Sequence, residues 1–336
     1  MKRYPFLPLL LIGALLLPCS LLLAWGRWGH QHIDRAAIFA LPEGMRAFFF
    51  NHADFITEES VLPDVRKYTI NDRAEPDRHY IDLEAYGKDP FKTLPHDWTA
   101  AKKKYGEKML HKNGILPWYV PEMMEKLTRA FRERDKSNIL FIAADLGHYL
   151  GDATQPLHTT LNYDGQLSDQ KGIHAFFESQ LPERFGAAYN FHVSPARYLD
   201  DPVKEIWNIL QESHALVDTV LLAEKRLAAQ FPASRKYVTD ASGKPVKNSY
   251  GQPVHSLEYA KAYHDALQGA IEKLLRRAVQ ATADYWYTAW VNAGKPRLDS
   301  LDAAALTARN KRFLKKEYRR WQKQGKLWGL HAGAEF

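Results

Sequence analysis

The sequence predicts a mostly α-helical single domain, and three observations lead to this prediction. Apolar residues recur at helical spacing along most of the chain. Two histidine–carboxylate pairs stand four residues apart, a separation that places both side chains on one face of a helix. No long linker or internal repeat interrupts the 336 residues, which suffice for one large domain. We therefore expect one multi-helix domain over residues 25–300.

The N-terminal segment has the composition of a secretory signal. Two basic residues, Lys2 and Arg3, precede an apolar run from Leu9 to Ala24, which ends on a small residue. We predict a signal peptide over residues 1–24 and an exported chain, periplasmic or extracellular, that begins at Trp25. An uncleaved membrane anchor is the alternative, because the run is near the lower length limit for a spanning helix.

The cysteine content and the net charge limit which metal ligands and which binding partners the mature chain can have. The only cysteine, Cys19, lies in the predicted signal, whereas all 14 histidines follow it. Any metal would therefore be held by His, Asp, Glu or backbone atoms, and the mature chain would have no disulfide. Removal of Lys2 and Arg3 lowers the net charge from +7 to +5. This mild excess permits attraction to anionic lipid or nucleic acid without choosing between them.

The first half of the chain has one strongly predicted helix and two predicted loops. The segment from Ser137 to His148 is apolar and begins at a serine, a common N-cap residue. Its continuation carries Asp152 until a proline, Pro156, ends or bends the helix. We expect loops that carry ligands at residues 51–73 and 161–171.

Helical patterns also dominate the second half. We predict amphipathic helices from Pro202 to Phe231 and from Ser256 to Ala293, separated by a hairpin or loop from Val238 to Val254. A basic helical extension is predicted over residues 301–336, where Arg309 to Lys326 hold nine Lys/Arg and one Glu. The favoured interpretation is a solvated helix with an apolar packing stripe. The alternative is a helix that contacts a membrane or nucleic acid.

The strongest chemical signal is a set of histidines and carboxylates. His148 and Asp152 are four residues apart, and so are His174 and Glu178. Imidazole and carboxylate form the donor set that zinc takes when no thiolate is present. Eight side chains are too many for one tetrahedral zinc and suit a multinuclear cluster with a bridging carboxylate. The candidate ligands are His30, Asp64, His79, His148, Asp152, His158, His174 and Glu178.

Each candidate also has an ordinary structural explanation. His30 would serve as a surface histidine, His79 as a core histidine and Asp64 as a helix cap. Asp152 would pair with a cation, and the pair at 174 and 178 would be exposed. Taken together, two pairs at helical spacing that flank another histidine favour a shared metal function.

With these motifs the chain resembles the superfamily of zinc-dependent phospholipases C and single-strand-specific zinc nucleases. The resemblance is carried by His-Tyr-x-Gly-Asp-x-x-x-Pro-x-His at 148–158, by His-x-x-x-Glu at 174–178 and by Trp-Gly-x-x-Gly-His at 25–30. It covers Trp25 to about Glu178. It implies an all-α fold of the phospholipase C/nuclease type, with three zinc ions in a cleft.

The resemblance also implies how the ligands divide among these ions. The free amine and carbonyl oxygen of Trp25 would bind one zinc together with His30. Asp152 would bridge this zinc to a second one. The second zinc would also be held by Asp64, His79 and His148, and the third by His158, His174 and Glu178. Glu58 and Glu59 are rivals for the role of Asp64, and His32 is an alternative to His30.

The implied reaction is hydrolysis of a phosphodiester. A zinc-bridging hydroxide would attack the phosphorus, and Asp64 would orient the hydroxide or take its proton. Tyr80 and Asp82 would contact a nucleic-acid base or a lipid headgroup.

The favoured substrate is a phospholipid, cleaved in the manner of a phospholipase C. The last ligand, Glu178, and the short gap between His158 and His174 favour it. Peripheral membrane contact would accompany such a substrate, and no protein partner is predicted. A single-strand-specific nuclease or 3'-nucleotidase of the same fold is the alternative, favoured by the opening at 25–30. A non-catalytic binding protein that uses zinc structurally is a third hypothesis.

Overall fold

The computed structural model describes residues 25–69, 73–248 and 251–301, together with 311–312, 315–316, 319 and 323–327. The predicted signal peptide and most of the predicted basic extension lie outside the described residues. The described part of the chain is mostly helical (68%) and has no strands, which confirms the all-α class. Within the same residues, no helix combines the length and the apolar character needed to cross a membrane.

Nine α-helices occupy the described part of the chain up to Ala153. They are α1 Gly26–Ala40, α2 Glu43–Asn51, α3 Ala53–Glu59, α4 Leu62–Thr69, α5 Pro90–Thr93, α6 Trp98–Tyr105, α7 Glu107–Lys112, α8 Leu116–Glu133 and α9 Lys136–Ala153. Two short 3-10 turns, Pro76–His79 and Leu83–Tyr86, lie between α4 and α5.

Between Ala153 and Asn292, the described residues form six further α-helices and four short turns. The helices are α10 Ile173–Ala175, α11 Leu181–Phe185, α12 Pro202–His214, α13 Val217–Gln230, α14 Leu257–Ala266 and α15 Ala270–Asn292. The turns are the 3-10 elements Pro156–Thr159, Gly186–Ala188 and Ala233–Arg235, and the π-helical turn Phe176–Gln180, which joins α10 to α11.

The core lies where α1, α8, α9 and α15 pack against one another. Trp286 of α15 is fully buried and stacks on Phe49, with ring centroids 5.0 Å apart. Its indole nitrogen donates a hydrogen bond to the carbonyl oxygen of Ala143 on α9 (2.9 Å). Burial of an aromatic side chain of this size contributes about 4–6 kcal/mol before the entropy of ordering is subtracted. The two helices that this contact joins are thereby held at the centre of the domain.

Helix α9 begins two residues earlier than the sequence predicts. Asp135, and not Ser137, is the N-cap, because its carboxylate accepts the backbone N–H of Asn138 at 3.0 Å. The helix ends at Ala153, before Pro156, which takes the first position of the following 3-10 turn. The predicted effect of this proline is therefore confirmed.

Helices α1 and α9 approach closely at Gly147. A Cβ atom at this position would lie 2.0 Å from the Oδ1 atom of Asp34, a buried residue of α1. Only a glycine leaves room for this carboxylate. The close approach brings the faces of α1 and α9 that carry His30 and His148 together, with ring centroids 3.8 Å apart.

The loop predicted at residues 51–73 is wrong over most of its length, since α3 and α4 lie there. Ala53 and Ile56 of α3 are buried, and α3 packs on α1 and α9. The apolar pattern is short, and tertiary packing stabilises a helix that propensity alone would leave marginal. The loop predicted at residues 161–171 is confirmed as a series of turns.

Two long predicted helices are each divided in two. The first is interrupted between α12 and α13 at residues 215–216, and the second between α14 and α15 at residues 267–269. The second break contains Gly269, whose φ of 77° lies in the left-handed region that glycine tolerates. Between these helix pairs, the described residues that follow the turn Ala233–Arg235 form isolated antiparallel bridges, which are Tyr237 to His255, Thr239 to Pro245 and Lys247 to Pro253.

Candidate metal centre

The fold brings the eight predicted side chains together in three buried groups that could hold metal ions. Within each group the ligand atoms lie within 4.8 Å of one another. The residues come from α1, α4, α9, α10 and the turns at 76–79, 156–159 and 176–180. The groups are His30, His148 and Asp152; Asp64, His79 and His148; and His158, His174 and Glu178.

Together with Asp152, the second group has ligand separations near those of a four-coordinate metal site. His79 Nδ1 lies 2.8 Å from Asp152 Oδ2 and 3.1 Å from His148 Nε2. His148 Nε2 is 3.3 Å from Asp152 Oδ2, and Asp64 Oδ1 lies 3.6 and 3.7 Å from the two histidine nitrogens. Ligands at 2.0–2.2 Å from one tetrahedral ion would be about 3.3–3.6 Å apart. Lys67 donates a hydrogen bond to Asp64 Oδ1 (2.7 Å) at the edge of this group.

Asp152 lies between the groups and presents its two oxygens to different neighbours. Its Oδ2 atom faces His79, whereas Oδ1 lies 3.5 Å from His30 Nε2 and 3.8 Å from His158 Nδ1. Burial opposes ionisation, but the nearby His148 and His158 hold the pKa of Asp152 well below its usual range. An ionised carboxylate in this position has the geometry of a bridging ligand.

Three of the histidines are oriented by backbone carbonyl groups. In each, Nδ1–H donates to a carbonyl oxygen, so the Nε2 lone pair is left for a metal ion. The acceptors are Ser60 for His148 (2.7 Å), His79 for His158 (2.7 Å) and Tyr163 for His174 (2.9 Å).

Buried polar atoms without hydrogen-bond partners also point to a cation. They are both ring nitrogens of His30, Asp64 Oδ2, Asp152 Oδ1 and Glu178 Oε1. An unsatisfied buried polar group costs about 1–3 kcal/mol, and several around one place fit a bound positive ion. Burial lowers the pKa of His30 well below its ordinary value, which favours the neutral imidazole that binds metals.

Two histidines have the opposite pKa shift. Burial alone would lower the pKa of His148 and of His174, but the carboxylates of Asp152 and Glu178 outweigh it and raise both values. The raised pKa values therefore favour protons on these rings in competition with a metal ion. Metal affinity at this centre will fall as the pH is lowered.

The third group is built around Glu178. Its Oε2 atom lies 2.9 Å from His174 Nε2 and 3.7 Å from His158 Nε2. The side chain of Gln155 also donates to this oxygen (3.0 Å), a contact that the sequence analysis missed. Glu178 belongs to a π-helical turn, a rare feature that is frequent at functional sites.

Trp25 lies at the edge of the same group. Its main-chain nitrogen donates to Glu178 Oε2 at 3.2 Å, and its carbonyl oxygen accepts the N–H of Gly29 at 3.0 Å. The fully buried indole donates to the carbonyl oxygen of Gly151 (2.8 Å). Trp25 is thus fixed beside the centre, and metal binding by a free amine at this position stays a prediction.

The rival ligands lie outside the three groups. His32 Nδ1 donates to the carbonyl oxygen of Trp28 at 2.6 Å. Glu58 pairs with Arg27 at the surface (3.2 Å), and Glu59 lies 3.7 Å from a guanidinium group on α4. Asp64 is therefore the carboxylate of this region that joins a group.

Tyr80 and Asp82, the predicted substrate contacts, follow His79 along the chain. Both are half-buried, and the Tyr80 hydroxyl donates to the carbonyl oxygen of Lys112 (3.1 Å). Burial raises the pKa of Tyr80 to about 12, with smaller contributions that include Asp82 and Tyr163. Burial and the charge of a neighbouring glutamate raise the pKa of Asp82 to about 6.

No protein-family model matches the chain, and the comparison with curated proteins gave no match. The site itself consists of three buried groups of imidazole and carboxylate ligands, two of which share His148.

Proposed function

We propose that the protein is an exported, zinc-dependent phosphodiester hydrolase whose favoured substrate is a phospholipid, cleaved in the manner of a phospholipase C. The observation that carries the proposal is the set of three adjoining groups around Asp152. Zinc is favoured because the groups combine imidazole with carboxylate, whereas magnesium and calcium prefer oxygen ligands alone. The second group and Asp152 together offer four imidazole and carboxylate donors, the number that a tetrahedral zinc takes.

Two residues beside the metal centre, Asp64 and Lys67, have separate roles in the proposed reaction. Zinc bound at this centre lowers the pKa of water and neutralises charge on phosphoryl oxygens. Asp64 has one oxygen, Oδ2, without a partner, and this atom takes a proton from the nucleophile or orients it. Lys67 holds the other oxygen of Asp64 and thereby fixes the direction of Oδ2.

The loop between His158 and the third group supports a lipid substrate. Leu167 is 72% exposed and Leu161 is 39% exposed on this loop. Exposed apolar side chains next to a catalytic centre favour contact with an apolar substrate surface. The loop is rigid enough for this role, because Asn162 bonds to Ser168 and to the N–H of Leu167.

A single-strand-specific nuclease is the second candidate. Tyr163 is 44% exposed on the same loop and close enough to Tyr80 to contribute to its pKa. Two partly exposed tyrosines suit the stacking of unpaired bases, and a carboxylate at Asp82 suits hydrogen bonding to a base edge.

The test is a parallel assay of protein that begins at Trp25, with zinc content measured beforehand. Substrates are phosphatidylcholine vesicles, single-stranded DNA and single-stranded RNA. Release of phosphocholine and diacylglycerol with intact strands supports the lipid substrate, whereas strand degradation with intact lipid supports the nuclease. Full zinc occupancy without hydrolysis of any phosphoester contradicts both. An Asp64→Asn variant, assayed in the same way, tests the proposed proton acceptor. Asp54→Asn is its matched control, because Asp54 is 84% exposed and pairs with Arg35.

A further inference from the structure

His79 differs from the other histidines of the second and third groups because a side chain orients it. Its Nδ1 atom faces the centre, where it lies 2.8 Å from Asp152 Oδ2. Its Nε2 atom lies 3.3 Å from Oε1 of Glu75, four residues earlier in the chain. His148, His158 and His174 are instead oriented by backbone carbonyls, which no single side-chain substitution removes.

Glu75 is itself held in place from several sides. It is buried, with 2% of its surface exposed. The hydroxyl of Tyr149 donates to Oε1 at 2.5 Å, and Arg78 donates to Oε2 at 2.7 Å. Arg66 lies 3.8 Å from the same Oε2 atom. A buried carboxylate with donors on both oxygens has one available position, and so does the imidazole bonded to it.

The same contacts connect two separate parts of the centre. Arg66 pairs with Asp145 on α9 at 2.6 Å, and Tyr149 follows His148 directly on the same helix. Glu75 lies at the start of the short turn that carries His79. The contacts of Glu75 therefore tie this turn to the helix that provides the partner ligand, His148.

We infer that Glu75 is a positioning residue for metal binding: it accepts the Nε2 proton of His79 and so commits Nδ1 to the metal. A carboxylate behind a histidine fixes its tautomer, holds its ring and increases its basicity toward a metal ion. This inference rests on the proposed metal centre. It states that tight binding of the ion held by His79 requires the carboxylate of Glu75, whereas binding of the other two ions does not.

The variant Glu75→Gln keeps the shape of the side chain and removes its charge. Glu122→Gln is the matched control, because Glu122 is exposed and pairs with Lys126 on the same helix (2.8 Å). Zinc affinity is measured by competition with a chelator, and the cobalt-substituted proteins are compared by visible absorption. Circular dichroism verifies that each variant has the wild-type helix content.

We expect one of the three ions to bind about 10–100-fold more weakly in Glu75→Gln, with the other two unchanged. The cobalt spectrum should change for one site only, and Glu75→Asp should restore part of the affinity. The inference would be overturned if Glu75→Gln bound all three ions as tightly as the control variant does. Absence of bound zinc in the wild-type protein would instead contradict the proposed function.

A second variant covers the case in which Glu75→Gln does not fold. Tyr149→Phe removes one donor to Glu75 and keeps the buried ring. The inference predicts a smaller loss of affinity, about 2–10-fold, for the same single ion. An unchanged affinity in this variant would count against Glu75 as the residue that positions His79.

Discussion

Asp152 Oδ2 lies 2.8 Å from His79 Nδ1, while the other oxygen of the same carboxylate lies 3.5 Å from His30 Nε2. One side chain thus has one oxygen beside a histidine of the second group and the other beside a histidine of the first. The centre is therefore expected to respond unequally to substitutions of its ligands.

The first prediction concerns metal stoichiometry. Asp152→Asn should lower the zinc content by about two ions per chain, because its two oxygens face histidines of two different groups, whereas His174→Ala should remove one. Metal analysis after dialysis against a weak chelator measures both. Identical losses in the two variants would show that Asp152 does not bridge.

The second prediction concerns catalysis. Asp64→Asn should lower turnover by about 10²–10⁴-fold, since its Oδ2 atom loses the ability to take a proton. Zinc content is measured in the same sample, so that loss of chemistry is separated from loss of metal. Turnover in Asp54→Asn should equal wild type. Near-normal turnover in Asp64→Asn would contradict the role proposed for this carboxylate.

The third prediction concerns substrate contact. Asp82→Asn should raise KM several-fold and leave kcat within about twofold, because a contact outside the reacting atoms contributes to binding of substrate and transition state alike. The effect should grow above pH 6, where burial no longer keeps Asp82 protonated. Steady-state kinetics at pH 5.5 and 8 provides the comparison. A fall in kcat at unchanged KM would place Asp82 in the chemistry instead.

The fourth prediction concerns the contact between α1 and α9. Gly147→Ala should lower the free energy of unfolding by about 1–3 kcal/mol, since the new Cβ would lie 2.0 Å from Asp34 Oδ1. Gly44→Ala is the control, because its Cβ would be 3.5 Å from the nearest atom outside its own helix. Denaturant unfolding measures both. The loss should shrink when Gly147→Ala is combined with Asp34→Ala, and additive effects would refute the clash.

The fifth prediction concerns pH and stability. Burial, followed by the charge of Asp145, raises the pKa of Glu59 from 4.5 to about 7. Between these values the folded chain keeps a proton that the unfolded chain has lost, so stability falls as the pH rises through this window. In chelator, the wild-type protein should therefore lose about 2 kcal/mol more than Glu59→Gln between pH 5 and pH 8. Equal losses in the two proteins would contradict this assignment.

The sequence predicted those features that depend on local spacing. Helical periodicity predicted the all-α class, and the pairs at 148/152 and 174/178 predicted side chains that the structure brings together. Pro156 also predicted the end of α9 correctly, because a proline disrupts only the helical turn that precedes it.

The features that sequence reasoning missed depend on tertiary contacts. The sequence of helix α3 contains only one short run of apolar residues at helical spacing. The helix is stabilised by packing against α1 and α9. Gln155 and Glu75 were missed because neither belongs to a ligand motif, and their hydrogen bonds to Glu178 and His79 are visible only in the structure. A spacing of four between Glu75 and His79 was the available signal for the second contact.

The central claim is that this chain holds three metal ions in the groups described above. The most direct test is crystallographic, with protein that begins at Trp25 and diffraction data collected on both sides of the zinc absorption edge. We predict three anomalous difference peaks, one within each group, with Asp152 between two of them. The account would be contradicted if the protein, crystallised with zinc, showed no peak among these residues or had its peaks elsewhere.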